Sequence, residues 1–242
     1  MNSGPSSHLA LKAAARKCLP RTIGVSVTDP RAKKRSVLSD EMSAIRRARE
    51  PRAREFASGR AAARDAMRGF GLGERSIPMG QDRAPVWPEG MTGSITHDDR
   101  ACVAIAASLD SYRALGADLE PDIDFPEELV TEICTRKEQL WLRQQPFSAR
   151  GRYARMIFSA KECTYKCQYV LTGEMLEFHD LEITFSSEKS RFNAYLLRAV
   201  APFEKGQVLR GHCLMVSGHI LTLMTLPAEA YASKTAFADA AA

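Results

Sequence analysis

The stretch Phe158-Ser159-Ala160-Lys161-Glu162-Cys163-Thr164-Tyr165-Lys166 decides how the chain is read. It holds good helix formers, no glycine or proline, and a stop signal beyond it at Gly173. At about 3.6 residues per turn, Phe158, Glu162, Tyr165 and Tyr169 share one stripe. Met156, Ala160, Cys163 and Cys167 share the opposite one. The spacing predicts a central helix covered on both sides, with a carboxylate inside an apolar face. Such a carboxylate needs a cation, a metal or a proton. Lys166 stands one turn further on, in the favourable Glu-then-Lys order. Taken alone, the helix is satisfied by a structural ion pair, the plainer reading.

Upstream, residues 113–120 read as a strand. Leu115, Ala117 and Leu119 alternate with Gly116, Asp118 and Glu120, so the two acids point the same way, opposite the apolar set. Two carboxylates on one strand face repel unless a cation lies between them, and hard oxygen ligands suit Mg²⁺. With Glu162 they make a candidate three-carboxylate site. Earlier still, residues 93–97 and 102–107 read as paired strands joined by Asp98-Asp99-Arg100. Thr96 and His97 end the first of them, where a side chain can meet an anion. The plain alternative is a satisfied structural histidine.

The wider chain sets limits. Its 242 residues suffice for one large domain or two lobes. The 45% hydrophobic and 26% charged balance argues for a folded globule. With no apolar run of about 18 residues and no secretory pattern at the start, a soluble cytoplasmic protein is expected. The six cysteines form no C-x-x-C pair and no zinc spacing, and are expected reduced. Net charge is +5, concentrated in residues 31–68, where twelve Lys/Arg face five Asp/Glu. That excess attracts polyanions.

Residues 1–22 are expected as a flexible arm. Residues 23–121 form an N-terminal α+β lobe, with helix across 52–70 carrying Arg52, Arg60, Arg64 and Arg68. Pro121 and Pro126 mark a boundary, and residues 122–227 form a C-terminal lobe ending in four strands. The Ala-rich segment 228–242 is expected to fray. Strands and helices are segregated, which argues for an α+β class. Thr135-x-x-Glu138 reads as a capping box.

Four segments, in order, resemble the 4′-phosphopantetheinyl transferase superfamily, of the siderophore-synthesis type. FSAKECTYK at 158–166 resembles its (W/F)-x-x-K-E-x-x-x-K signature, and GADLEP at 116–121 its G-(I/V)-D-(I/L)-E signature. PVWPEGMTGSITH at 85–97 resembles the segment leading to its (S/T)-H, and EFASGRAAAR at 55–64 its Arg-bearing helix.

The resemblance implies two similar α+β lobes in one chain, a pseudo-dimer with coenzyme A in the cleft between them. It implies Mg²⁺ (or Mn²⁺) on Asp118, Glu120 and Glu162, with Glu162 and Lys166 in the chemistry. It implies coenzyme contacts from Arg52, Arg60, Arg83, Thr96, His97, Lys161 and Lys166. The reaction implied moves phosphopantetheine from coenzyme A to a serine of an apo acyl or peptidyl carrier protein, leaving adenosine 3′,5′-bisphosphate. A monomer is expected, with no nucleic acid or membrane partner. Asp98-Asp99 departs from the family pattern after the His, and both acids are expected to point outward or to touch the pantetheine or the partner. The alternatives are another Mg²⁺-dependent phosphate-ester hydrolase and a basic nucleic-acid-binding module.

Overall fold

A computed structural model describes residues 5–32, 36–72 and 74–229. Two antiparallel sheets organise the chain. The first is three-stranded, in the order β1 (Gly24–Thr28), β3 (Cys102–Ser108), β2 (Met91–His97). The second is five-stranded, in the order β4 (Tyr112–Pro121), β8 (His219–Pro227), β7 (Val208–Val216), β6 (Arg191–Leu196), β5 (Leu181–Phe185).

Each sheet carries one long helix. Helix α2 (Glu50–Met67) starts with Pro51 in its first turn, where a missing N–H is harmless. Its alanines Ala57, Ala62, Ala63 and Ala66 are buried, and that narrow face lets the helix lie close on β1 and β3. After two short helices, α3 (Val130–Ile133) and α4 (Arg136–Arg143), the 26-residue α5 (Phe147–Thr172) packs on β4 and β8. It ends at Gly173, whose φ of 65° closes the helix in the left-handed conformation.

Three expectations are corrected. The flexible arm is instead helix α1 (Pro5–Cys18). Leu11, Ala15 and Leu19, spaced by four, form a buried stripe against Ile23, Val25, Leu221 and Leu223. Helix α1 touches β1 of one sheet and β7 of the other, so this core is common to both. Second, the strand given to the N-terminal lobe, β4, pairs with β8: Leu119 stands opposite Leu221 and Glu120 opposite Ile220. Third, α5 is covered on one side. Met156, Ala160, Cys163 and Cys167 are fully buried, whereas Phe158, Glu162, Tyr165 and Tyr169 are half-buried, because Tyr165 and Tyr169 border a cleft. All six cysteines are free thiols. The expected C-terminal fraying falls almost wholly outside the described residues.

Strands β2 and β4 are edge strands of different sheets, and they meet through hydroxyl groups. The N–H of Ala117 donates to Ser94 Oγ and that of Leu119 to Thr96 Oγ1, each at 3.0 Å. Ser94 and Thr96 are two apart, so both hydroxyls leave β2 on one face. This seam sets the register of the two sheets where the candidate site lies.

Candidate active site

Helix α5 can approach β4 because residue 116 is glycine. A Cβ there would lie 2.2 Å from the Cys163 carbonyl oxygen and 2.8 Å from Cys167 Cβ. The close packing brings the two acidic segments of the sequence together. Lys166 Nζ donates to Asp118 Oδ1 at 2.5 Å, and Thr96 Oγ1 donates to the same oxygen at 3.4 Å. Burial works against the Lys166 ammonium, yet Asp118 and Glu162 outweigh it and hold its pKa above the ordinary lysine value. Asp118 Oδ2 is buried with no hydrogen-bond partner.

Glu120 faces α5 as well, where Arg155 Nη1 donates to its Oε2 at 2.9 Å. Burial first, then the neighbouring Asp118 charge, push the Glu120 carboxyl up to about 7. Glu162 is also pushed up by burial; Lys166 opposes the shift and Asp118 adds to it. Glu120 and Glu162 therefore each feel Asp118, but the three acids that the sequence expects around one ion are not assembled into a cage. Among the described residues no group of three His, Cys, Asp or Glu side chains stands close enough to hold a metal ion. Lys166 and Arg155 take up two of the carboxylates instead. Arg155 was missed in the sequence; about two and three turns before Glu162 and Lys166 on α5, it looks like an ordinary solvated arginine. The donor set still fits a hard divalent cation. A buried carboxylate oxygen without a partner, flanked by two carboxyls that burial drives toward neutrality, is what such an ion would correct.

Beside this cluster runs a cleft of about 930 Å³, with Arg83, Trp87, Thr92, Tyr165, Lys166 and Val170 among its walls. Trp87 Nε1 and Thr92 Oγ1 are buried without partners. A second cleft of about 540 Å³ is lined by Arg46, Arg47, Arg52 and Arg83. Arg83 belongs to both. Arg46 and Arg47 were not singled out in the sequence, although they lie in the basic stretch that drew attention. Next to this second cleft, Arg52 Nη1 stands 3.1 Å from His97 Nε2, so the ring nitrogen accepts from the guanidinium. Burial lowers the His97 pKa, Glu55 works against that, and the cations Arg52 and Lys166 add to it.

Other expected coenzyme contacts are engaged elsewhere. Lys161 is buried, and its Nζ donates to Glu138 Oε2 at 2.8 Å and to the carbonyls of Ile133 and Phe178 at 2.7 Å. Arg60 is buried, with Nε donating to the Ile77 carbonyl at 2.5 Å and the guanidinium 4.3 Å over the Phe56 ring. Burial lowers its pKa to about 10. The Thr96 hydroxyl is held in the seam. Asp98 turns inward: its Oδ1 accepts from the N–H groups of Arg100 and Ala101, and its Oδ2 lies 3.0 Å from Nε2 of the buried His219, close but not aligned for a hydrogen bond. Asp99 is exposed, as expected. Thr135 and Glu138 form the capping box on α4.

Residues 40–107 match the model of the 4′-phosphopantetheinyl transferase N-terminal domain, and residues 114–222 that of the 4′-phosphopantetheinyl transferase superfamily. The chain is 33% identical over 183 residues to the 4′-phosphopantetheinyl transferase Npt of Nocardia iowensis, covering 72% of this chain and 82% of that protein. It is 32% identical over 196 residues to PptT of Mycobacterium tuberculosis, covering 78% and 86%. It is 30% identical over 189 residues to enterobactin synthase component D of Salmonella typhimurium, covering 75% of each. The chain belongs to the 4′-phosphopantetheinyl transferase superfamily. It is an enzyme that carries out 4′-phosphopantetheinyl transfer to carrier proteins. The family uses coenzyme A and Mg²⁺. The first match covers β2 and β3 of the smaller sheet, and the second begins within β4 of the larger one. No helix among the described residues is long and apolar enough to cross a membrane.

Proposed function

We propose that the cleft between the two sheets holds coenzyme A and that Asp118, Glu120, Glu162 and Lys166 carry the transfer. The observation that supports this reading most directly is the 2.5 Å contact between Lys166 Nζ and Asp118 Oδ1. It ties the two signature segments together at the wall of the large cleft.

Coenzyme A brings a doubly anionic pyrophosphate, an adenosine phosphate and an uncharged amide-bearing arm. Arg46, Arg47, Arg52 and Arg83 line the smaller cleft and suit the phosphates, since a guanidinium meets phosphate with two parallel donors. A phosphate arriving there takes the Arg52 donor and releases His97 Nε2 from it. The larger cleft, with Trp87 and Thr92, suits the arm.

Asp118, Glu120 and Glu162 would hold Mg²⁺, which when bound neutralises the pyrophosphate and favours charge growing on the leaving phosphate. Lys166 adds a positive charge beside the same phosphates. Glu162, whose pKa burial raises, is the base best matched to a serine hydroxyl. It takes the serine proton as the oxygen bonds to the pantetheine-side phosphorus. The phosphorus–oxygen bond to adenosine 3′,5′-bisphosphate breaks, and the electron pair leaves with that bisphosphate. No covalent enzyme intermediate is required. The arginines work at a distance from the chemistry, turning remote binding energy into positioning. The acceptor is a small acidic helical carrier domain, toward which the basic surface steers. Both sheets come from one chain, so a monomer suffices.

The test is to weigh an apo carrier domain after incubation with the enzyme, coenzyme A and Mg²⁺. Gain of one phosphopantetheine group is expected. Glu162→Gln is expected to abolish the gain while circular dichroism stays unchanged; full activity in that variant overturns the assignment of the base.

A further inference from the structure

The segment between Pro78 and Val86 is a miniature hairpin. The Val86 N–H donates to the Pro78 carbonyl at 2.9 Å, Met79 bridges Pro85, and the Gly80 N–H donates to the Ala84 carbonyl at 2.8 Å. A loop of this kind turns through one left-handed residue, where glycine or asparagine is the usual choice. Here that residue is Arg83, at φ 70°. The side chain placed at this unfavourable backbone position lines both clefts.

Its neighbour Asp82 makes two bonds. Oδ1 accepts from the Ala84 N–H at 3.0 Å, within the hairpin. Oδ2 accepts from the Tyr169 hydroxyl at 2.9 Å, and Tyr169 belongs to α5, which packs on the other sheet. The Tyr169 ring is in turn set by Tyr165, its centroid 5.4 Å away. One carboxylate thus fixes the turn that presents Arg83 and fastens that turn across the cleft to the helix bearing Glu162 and Lys166.

We infer that Tyr169 and Asp82 form a clasp that positions Arg83 for the coenzyme phosphates. The clasp does not touch the reacting atoms; it selects the arginine's placement and so acts on coenzyme affinity. The inference rests on the proposed phosphate role of Arg83, and the experiment separates the two. Dissociation constants for coenzyme A are measured by titration calorimetry for the wild type, Tyr169→Phe, Arg83→Ala and the double variant. Steady-state kinetics with an apo carrier accompany them.

Arg83→Ala is expected to weaken binding about tenfold. Tyr169→Phe, which keeps the ring, is expected to weaken it about threefold to fivefold, raising KM for coenzyme A more than it lowers kcat. In the Arg83→Ala background Tyr169→Phe is expected to have no further effect, because two residues acting through one contact are not additive. Asp82→Asn is expected to behave like Tyr169→Phe. Unchanged affinity in Arg83→Ala overturns the phosphate role of Arg83 and the clasp with it. A loss in Arg83→Ala, with either no loss in Tyr169→Phe or additive losses in the double variant, overturns the clasp alone. A fall in melting temperature without a change in KM also overturns it, since that is what a merely structural tyrosine would produce.

Discussion

Lys161 Nζ lies 2.8 Å from Glu138 Oε2, and both side chains are only 1% exposed. Signature lysine and capping-box glutamate are thus one buried unit. Glu138 also accepts from the N–H groups of Thr135 and Ile183, and Lys161 also donates to two carbonyls. Five pieces of the C-terminal sheet domain are joined there: the end of α3, α4, α5, the middle of β5 and the turn before it.

Removing one member should therefore damage stability rather than coenzyme binding. Lys161→Met leaves Glu138 buried without its cation, a loss of roughly 3–5 kcal/mol for broken buried pairs. Urea unfolding should show a midpoint well below wild type. Assayed far below its melting temperature, the variant should keep a near-normal KM for coenzyme A. A large KM change with normal stability would return Lys161 to the coenzyme site.

The hydroxyl seam gives a second expectation. Thr96→Val strips the Leu119 N–H of its acceptor and Asp118 of a donor, at a cost of about 1–3 kcal/mol for a buried group left unpaired. Ser94→Ala removes only the acceptor of the Ala117 N–H. Both variants should lose comparable stability in urea, yet Thr96→Val should lose several-fold more kcat, because Thr96, unlike Ser94, also donates to Asp118. Equal losses of kcat would mean the seam acts only through global stability.

What the sequence made legible follows from these particulars. The Gly116-Ala117-Asp118-Leu119-Glu120 alternation and the α5 stripes are local periodicities, and local periodicity survives into the fold; hence the strand and the helix could be foreseen, whereas the contact of Asp118 with Lys166 could not. Partner choice is not local. Nothing in the spacing of Lys161 tells that Glu138, Ile133 and Phe178 enclose it, and nothing in that of Arg60 tells that it faces the Ile77 carbonyl. The resemblance implies a coenzyme contact for Lys161, whereas its buried partners make it a strut within the C-terminal sheet domain. The helix α1 was missed for a related reason: three apolar residues among alanine, serine and lysine carry a weak pattern, and the sheets supply the rest of its stability.

Two of the arginines on α2, Arg52 and Arg60, should separate cleanly. Arg52 has a side chain 59% exposed, on the rim of the arginine-lined cleft, and its link to Glu55 is a surface pair worth under about 1 kcal/mol. Arg52→Ala should raise KM for coenzyme A several-fold and leave the melting temperature nearly unchanged. Arg60→Ala removes a buried guanidinium and leaves the Ile77 carbonyl without its donor, so about 1–3 kcal/mol of stability should go. Thermal melts and coenzyme KM measured on both variants check this; the reverse pattern would exchange their roles.

The turn after His97 supplies a pH dependence. Burial alone would raise the Asp98 pKa, but the His219 ring and the N–H groups of Arg100 and Ala101 outweigh it, and the net shift is downward. A carboxylate with a lower pKa in the folded chain than in the unfolded one stabilises the fold above the unfolded value of about 3.9. That contribution disappears as pH falls from there through the folded value. Asp98→Asn cannot make the same charged contacts, so it should be less stable than wild type at pH 7, by about 1–3 kcal/mol. It should also lack this part of the acid loss. Urea midpoints measured at pH 7, 4 and 3 should therefore converge for the two proteins as pH falls. Curves that stay parallel down to pH 3 would mean that Asp98 keeps its proton equilibrium unchanged on folding, and that the turn is held to the His219 end of β8 by the Arg100 contact to the Gly218 carbonyl instead.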